Sequence, residues 1–220
     1  MVPAGEPGAR RGTNLPRMGD FNTAVVLDAI RRSASGLSRV ELGHTTGLSA
    51  QTISNICRRL LDRDMVVEAG KAGIGPGKPR TLLKLNPGGV FTVGVHLDPA
   101  VMTFAVLDLT GAVVHRSCRA TPAVSDPDLL ISHISEEIEE LILGSGVDRA
   151  KIAGLGVATP GPIDFDRGTV IDPPHLLGWH LVPLRDALAR ATGLTVFVDK
   201  DVTAAAVAEM WVGGPSGVGS

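Results

Sequence analysis

The apolar positions along the chain change rhythm twice. Behind Asp20-Phe21-Asn22, the residues Phe21, Ala24, Val25, Ala29 and Ile30 recur at helical spacing and predict a helix running to about Ser33, with Gly36 blocking any continuation. Ser38-Arg39-Val40-Glu41 has the form of a capping box, in which a hydroxyl and a carboxylate satisfy the free amides of a helix start. That second helix is short because Gly47 interrupts it. Ser49 then caps a third helix, predicted to about Asp64, with Ile53, Ile56, Cys57, Leu60 and Leu61 as its buried stripe. Two strand-like stretches follow, Met65-Val66-Val67-Glu68-Ala69 and Arg80-Thr81-Leu82-Leu83-Lys84-Leu85. They flank a Gly-rich segment, Gly70 to Pro79, that reads as a hairpin loop.

After the short boundary Asn86-Pro87-Gly88-Gly89 the rhythm becomes that of an α/β domain. Val90–Leu97, Val101–Leu109 and Ala112–Arg119 predict three strands with turns at Asp98-Pro99 and Thr110-Gly111. Asp126–Leu143 predicts a helix with Leu130, Ile134, Ile138, Leu141 and Ile142 inward and Glu136, Glu137, Glu139 and Glu140 as a solvated acidic surface. Lys151–Ala158 reads as a buried strand followed by the turn Thr159-Pro160-Gly161-Pro162. Pro183–Thr192 reads as a helix, Leu194–Val198 as a strand and Asp201–Trp211 as a further helix.

Charge separates the same two parts. Residues 1–87 hold 13 Lys and Arg against 7 Asp and Glu, whereas residues 88–220 hold 8 against 16. A basic part joined to an acidic one suggests a nucleic-acid-binding module beside a part with another task. The third predicted helix supplies suitable chemistry on the face opposite its apolar stripe. Gln51 and Asn55 suit adenine edges, Arg58 and Arg59 suit guanine or phosphate, Thr52 suits phosphate or the thymine methyl, and the capping Ser49 is counted with them as DNA-binding. Helix, capped short helix, Gly47-Leu48-Ser49 turn and polar-faced helix form a helix-turn-helix pattern, and the loop behind it is a wing whose Lys71, Lys78 and Arg80 would lie along a phosphate backbone. The expected organisation is a disordered arm over 1–19, a winged helix-turn-helix over 20–87 that takes double-stranded operator DNA, and an α/β domain over 88–220.

Composition narrows the rest. The chain is 44% hydrophobic and 20% charged, ordinary for a folded protein. No apolar run approaches the roughly 18 residues that cross a bilayer, and the N-terminus has no apolar signal core, so a cytoplasmic address without a membrane partner is expected. Two cysteines, Cys57 and Cys118, exclude a disulfide framework and multi-cysteine zinc sites. Cys57 reads as a core residue, and Cys118, Met102 and Trp211 read as core or half-buried packing residues. No cofactor and no metal is expected.

Several segments together resemble a known family. Gly154-Leu155-Gly156-Val157-Ala158-Thr159-Pro160-Gly161-Pro162-Ile163-Asp164 looks like its sugar-site loop. Pro174-His175-Leu176-Leu177-Gly178-Trp179 resembles its Pro-Asn-Leu-X-Gly-Trp element, and Asp199-Lys200-Asp201-Val202-Thr203-Ala204-Ala205-Ala206 resembles its Glu-Asn-Asp-Ala-Asn-Ala-Ala-Ala stretch. With Gly94-Val95-His96-Leu97 and Leu107-Asp108-Leu109-Thr110-Gly111, they point to the ROK family of bacterial repressors and sugar kinases. Gly77-Lys78-Pro79-Arg80 and Leu85-Asn86-Pro87 are similar to the repressor branch. The resemblance implies an actin-like, ribonuclease-H-like α/β fold. It also implies a sugar or sugar-derivative effector held by Thr159, Gly161, His175, Lys200 and Asp201, and a homodimer on a palindromic site.

Departures from the family pattern shape the functional expectation. Where a kinase of the family has Asp-X-Gly-Gly-Thr-Lys, this chain has His96-Leu97-Asp98-Pro99-Ala100-Val101. Pro99 lacks an amide proton and Asp98 places negative charge where phosphate would lie, so no ATP chemistry is expected. His96 reads as a satisfied core or turn histidine. Asp201 stands where the family has its general base, and an aspartate at a strand–helix junction is equally an N-cap. The family runs on for roughly another hundred residues, so the resemblance implies an incomplete domain, its second lobe absent, exposing an apolar surface that favours self-association. The expectation is a sugar-responsive transcriptional repressor and not an enzyme. The alternatives are a ROK-type sugar kinase with an appended DNA-binding part, or a truncated DNA-binding product with no sensing.

Overall fold

The computed structural model describes residues 15–72, 80–174 and 176–212. The chain forms two compact units, divided between Leu85 and Asn86.

In the first unit α1 spans Leu15–Arg32, five residues longer at its start than Asp20. Residues 15–19, expected within a disordered arm, are helical. Pro16 falls in the first turn, where a missing amide N–H breaks no helical hydrogen bond. Gly36 follows with φ +84, and a side chain there would meet the Leu83 carbonyl at 2.8 Å, so only glycine turns the chain at this point. Leu37–Ser38 forms a two-residue strand, β1, which the hydrophobic pattern is too short to reveal. Helix α2 (Arg39–Thr46) starts on the full capping box of Ser38 and Glu41 and stops at Gly47 in the left-handed conformation. Helix α3 (Ala50–Asp62) is capped by Ser49. Strands β2 (Val66–Ala72) and β3 (Arg80–Leu85) pair antiparallel, giving a sheet ordered β1-β3-β2. The core gathers Val26 and Ile30 of α1, Leu42 of α2, Ile53, Ile56, Cys57 and Leu60 of α3, and Val66 and Leu83 of the sheet.

The second unit is built on five strands: β4 (Phe91–His96), β5 (Val101–Asp108), β6 (Val113–Ala120), β7 (Ile152–Thr159) and β10 (Val196–Lys200). Their order is β10-β7-β4-β5-β6, with the β10–β7 and β7–β4 pairs parallel and the other two antiparallel. Helix α4 (Pro127–Ser145), capped by Asp126, and α5 (Leu184–Thr192) bury one face of the sheet. Val93, Val95, Met102, Phe104 and Val106 meet Leu130, Ile134, Ile138 and Leu188 there. Between β7 and α5 lies a small hairpin absent from the sequence reading, β8 (Ile163–Asp164) and β9 (Thr169–Val170). Helix α6 (Asp201–Val212) packs against β10 and β7.

Three side chains depart from expectation. Glu137 is buried rather than solvated, because its turn of α4 also carries Ile134, Ile138 and Leu141, and the Arg119 guanidinium reaches it at 3.0 Å. Cys118 is exposed on β6, an edge strand of the sheet. His96, at the end of β4 just before the Asp98-Pro99 turn, is exposed, which overturns the core half of the expectation for it. Among the described residues no helix is long and apolar enough to cross a membrane.

Candidate nucleic-acid interface and ligand site

The apolar stripe of α3 turns its other face outward. Gln51, Asn55 and Arg58 are exposed on that face, opposite Ile53, Ile56, Cys57 and Leu60. The Gln51 amide donates to Asn55 Oδ1 at 3.2 Å, an i,i+4 pair that holds both amide groups side by side. Arg58 has no hydrogen bond or ion pair among the described residues, so its guanidinium projects freely into solvent. Ser49 and Thr52 are engaged at the helix start: the Thr52 amide donates to Ser49 Oγ at 3.2 Å and the two hydroxyl oxygens lie 2.9 Å apart. Arg59 leans back from the outer face and donates to Thr23 Oγ1 of α1 at 2.9 Å. It ties α3 to α1, a role its spacing alone does not disclose. Arg80 is exposed at the start of β3, and Lys71 lies on β2 opposite Thr81. Lys78 lies outside the described residues.

Cys57 sits in the centre of this unit with no exposure, and burial pushes its thiol up from the usual range. It is a small core residue. Glu41, by contrast, is held below the usual carboxylate range, first by the Ser38 hydroxyl and then by the Ser38 backbone amide.

In the second unit the parallel strands β4, β7 and β10 end side by side. In open α/β sheets the space beyond the carboxyl ends of parallel strands is where ligands bind. Thr159 and Lys200 are register partners at the ends of β7 and β10, and Ala158 is the partner of both His96 and Asp199. Thr159 is fully buried. Gly161 follows in the next turn, joined to Pro162 by a cis peptide. A side chain at Gly161 would lie 3.3 Å from Cδ and Cε of Lys200, so the lysine stem rests flat on the glycine. The Lys200 ammonium has no partner among the described residues. Asp201 opens α6 half-buried and accepts from the Val202 amide at 2.7 Å. The fold therefore brings Thr159, Gly161, Lys200 and Asp201 to one end of the sheet, while His175 lies outside the described residues. The neighbouring segment is anchored by Trp179, buried with no partner for its indole N–H among the described residues, and by Gly178, whose φ of +79 and close approach to the Ser125 carbonyl exclude any side chain.

The turn after β4 behaves unlike a phosphate cradle. Asp98 Oδ1 accepts the amides of Ala100 and Val101 at 2.8 and 3.3 Å, and these hydrogen bonds hold its carboxyl below the usual range. The chain thus fills its own anion-binding amides with a carboxylate. The signal for this was the Asp-Pro pair, a frequent turn starter whose aspartate bonds the amides two residues on. Among the described residues no group of three or more His, Cys, Asp or Glu side chains could hold a metal ion.

The chain is similar to several known proteins. The xylose repressor of Caldicellulosiruptor bescii is 27% identical over 177 residues, covering 80% of this chain and 44% of the repressor. A glucokinase of Thermotoga maritima is 32% identical over 125 residues, covering 57% of this chain and 38% of the kinase. The crystal structure of a ROK family transcriptional regulator, a homologue of the E. coli MLC protein, matches with a TM-score of 0.74 at 27% identity, over 87% of this chain and 48% of that one. The chain spans less than half the length of each. Residues 92–220 match the ROK family across both the ligand-site strands and the turn that follows β4, and the chain belongs to that family.

Proposed function

We propose that this chain is a sugar-responsive, DNA-binding transcriptional repressor of carbohydrate metabolism, acting without catalysis. The first unit is read as a winged helix-turn-helix: α2, the Gly47 turn and α3 form the helix-turn-helix, and β2 and β3 form the wing. The observation that carries the reading is the outward row Gln51, Asn55 and Arg58 on a capped helix whose other face is locked in the core. Similarity to a xylose repressor and to a ROK transcriptional regulator supports it. Gln51 and Asn55 read base edges and Arg58 reads a guanine or a phosphate, while Lys71, Lys78 and Arg80 hold the backbone. Ser49 and Thr52 set the helix start against phosphate. In the second unit Thr159, Gly161, Lys200 and Asp201, with His175, receive a sugar or sugar derivative beyond the carboxyl ends of β4, β7 and β10.

Fluorescence anisotropy on DNA from the upstream region of the coding sequence, against scrambled DNA across a salt series, tests the reading. Specific binding that weakens steeply with salt is the expected outcome. Equal, weak binding to both DNAs would overturn it.

A second reading, a hexose kinase, is favoured by Asp201 and by the similarity to a glucokinase. The Asp98 carboxylate on the Ala100 and Val101 amides opposes it, since a phosphate would have to displace a like-charged group. ATP-dependent turnover of a hexose would revive the kinase reading.

A further inference from the structure

The segment between β9 and α5 holds a contact that neither DNA binding nor the sugar-site residues account for. Val170 and Val182 exchange both backbone hydrogen bonds at 2.9 Å, so the chain from Ile171 to Leu181 leaves and returns at one point. A loop closed at its neck and packed by its own side chains is an Ω-loop. Leu176 and Trp179 are its buried anchors. The Ile171 amide donates to the Pro162 carbonyl at 2.8 Å, which fastens one end of the loop to the turn where Gly161 supports the Lys200 stem.

Across the neck the His180 ring donates from Nδ1 to Asp172 Oδ1 at 2.8 Å. Both ends of the loop are in left-handed backbone, Asp172 with φ +40 and Leu181 with φ +52. Aspartate tolerates that region, but for a bulky residue such as leucine it is an outlier. Such a conformation persists only where surrounding contacts impose it, and the Asp172–His180 contact joins the two strained ends. Its strength depends on one proton. With the ring neutral the contact is a hydrogen bond, and with the ring protonated it becomes an ion pair. Histidine is the side chain that gains its charge between pH 8 and pH 5, a range in which carboxylates stay ionised. The charged groups on the neighbouring elements are bonded elsewhere. Arg167 faces Asp164 across 3.9 Å in the β8–β9 hairpin, and Arg185 of α5 donates to the Asp166 carbonyl at 2.9 Å and to Asp186 at 3.2 Å. Asp126, next to the Ser125 carbonyl that Gly178 approaches, accepts from the Asp128 amide at 2.9 Å. His175, the other histidine of the segment, lies outside the described residues.

We propose that Asp172 and His180 form a pH-dependent clasp that positions this loop: protonation of His180 tightens the neck and orders the loop, and a neutral ring loosens it. Its bearing on ligand binding rests on the sugar-site reading above, under which a loop fastened to the Gly161-Pro162 turn is better ordered beside the ligand at pH 5.5 than at pH 7.5.

Amide hydrogen exchange of the full chain at those two pH values, expressed as protection factors, tests the clasp without any ligand. An exposed ion pair shifts an opening equilibrium by about 1.5- to 5-fold, so the Leu176 and Trp179 amides should be protected by that much more at pH 5.5. His180→Ala should abolish the difference and lower protection at pH 5.5 by at least the same factor. His180→Asn keeps a donor at the place of Nδ1 without the charge; it should match the wild type at pH 7.5 and gain nothing at pH 5.5, which assigns the response to His180 rather than His175. The β4 and β5 amides report the unit as a whole and should not follow. Wild-type protection that is independent of pH, a pH response that survives in His180→Asn, or an equal response of the β4 and β5 amides would overturn the proposal. Isothermal titration with D-xylose and D-glucose at both pH values separates the two readings: no binding of either sugar, with the exchange difference intact, counts against the sugar site and leaves the clasp standing.

Discussion

Replacing Ser38 by alanine isolates the contribution of one cap to the first unit. The substitution removes a hydroxyl that donates to Glu41 Oε2 at 2.7 Å and accepts the Glu41 amide at 3.4 Å, and it leaves the Ser38 amide bonded to the same carboxylate at 2.8 Å. Loss of an N-cap hydroxyl costs about 0.5–2 kcal/mol. Ser38 is only 2% exposed, so water does not replace the lost partner, and the upper half of that range applies, about 1–2 kcal/mol. In a unit of this size each kcal/mol moves the melting temperature by roughly 4–8 °C, so a fall of about 4–16 °C is expected. Both tryptophans, Trp179 and Trp211, belong to the second unit, so Trp fluorescence follows that unit while circular dichroism follows both. The variant should shift the first unit's circular-dichroism transition and leave the fluorescence transition in place. The effect has a pH signature. Glu41 is held below its unfolded pKa, chiefly by the Ser38 hydroxyl. Its stabilisation is therefore present above the unfolded value and is lost as pH falls through the lower folded value. The gap between wild type and variant should narrow from pH 7 to pH 3. A circular-dichroism shift under about 2 °C at pH 7, or an equal shift in fluorescence, would refute the reasoning.

Four further outcomes follow from the same geometry. Gly178→Ala would set a Cβ 2.0 Å from the Ser125 carbonyl at a φ of +79, and should cost about 2–4 kcal/mol with a red shift of Trp fluorescence as Trp179 loosens. Thiol titration of the native chain should find one fast cysteine, the exposed Cys118, with Cys57 reacting only after unfolding because burial raises its pKa. Leu60→Ala should lower stability by about 2–5 kcal/mol, read as the same first-unit circular-dichroism transition that Ser38→Ala moves. Under the DNA-binding reading, Arg58→Ala should reduce discrimination between operator and scrambled DNA. Arg59→Ala and Thr23→Val should instead weaken both alike, since they share the tie between α3 and α1.

How far the sequence could be read depended on where the information lay. Helix α3 was legible because its apolar stripe, its serine cap and its polar face all fall within 14 consecutive residues, Ser49 to Asp62. The capping box at Ser38 and the left-handed stop at Gly47 were legible for the same reason. Strand β1 and the β8–β9 hairpin were not, because two-residue strands have no period to detect, and their partners lie elsewhere in the chain or across a turn. The end of β10 was placed two residues early. Asp199 and Lys200 are poor strand formers by composition, and pairing to Ala158 and Thr159 overrides that preference. The site suffered in the same way. Thr159, Gly161, Lys200 and Asp201 could be named from resemblance, yet the Lys200 stem lying on Gly161 and the turn of Arg59 toward Thr23 exist only in three dimensions.

The two ends of the strand trio explain how a frame shared with sugar kinases can be suited to sensing. Phosphoryl transfer needs amides that are open to phosphate oxygens beside a carboxylate that takes a proton. Asp201 keeps a carboxylate at the end of β10, but after β4 the open amides are gone, because Asp98 accepts two of them. That arrangement is stable on its own terms. The carboxyl is most firmly bound when ionised, which its lowered pKa expresses, so at neutral pH an incoming phosphate meets both a filled cradle and a like charge. Nothing comparable fills the other side, where the Lys200 ammonium has no partner among the described residues and Thr159 and Gly161 stand beside it. Under the proposed reading, a ligand is held at β7 and β10 without a phosphoryl donor at β4. Binding separated from transfer in this way is what an effector site requires.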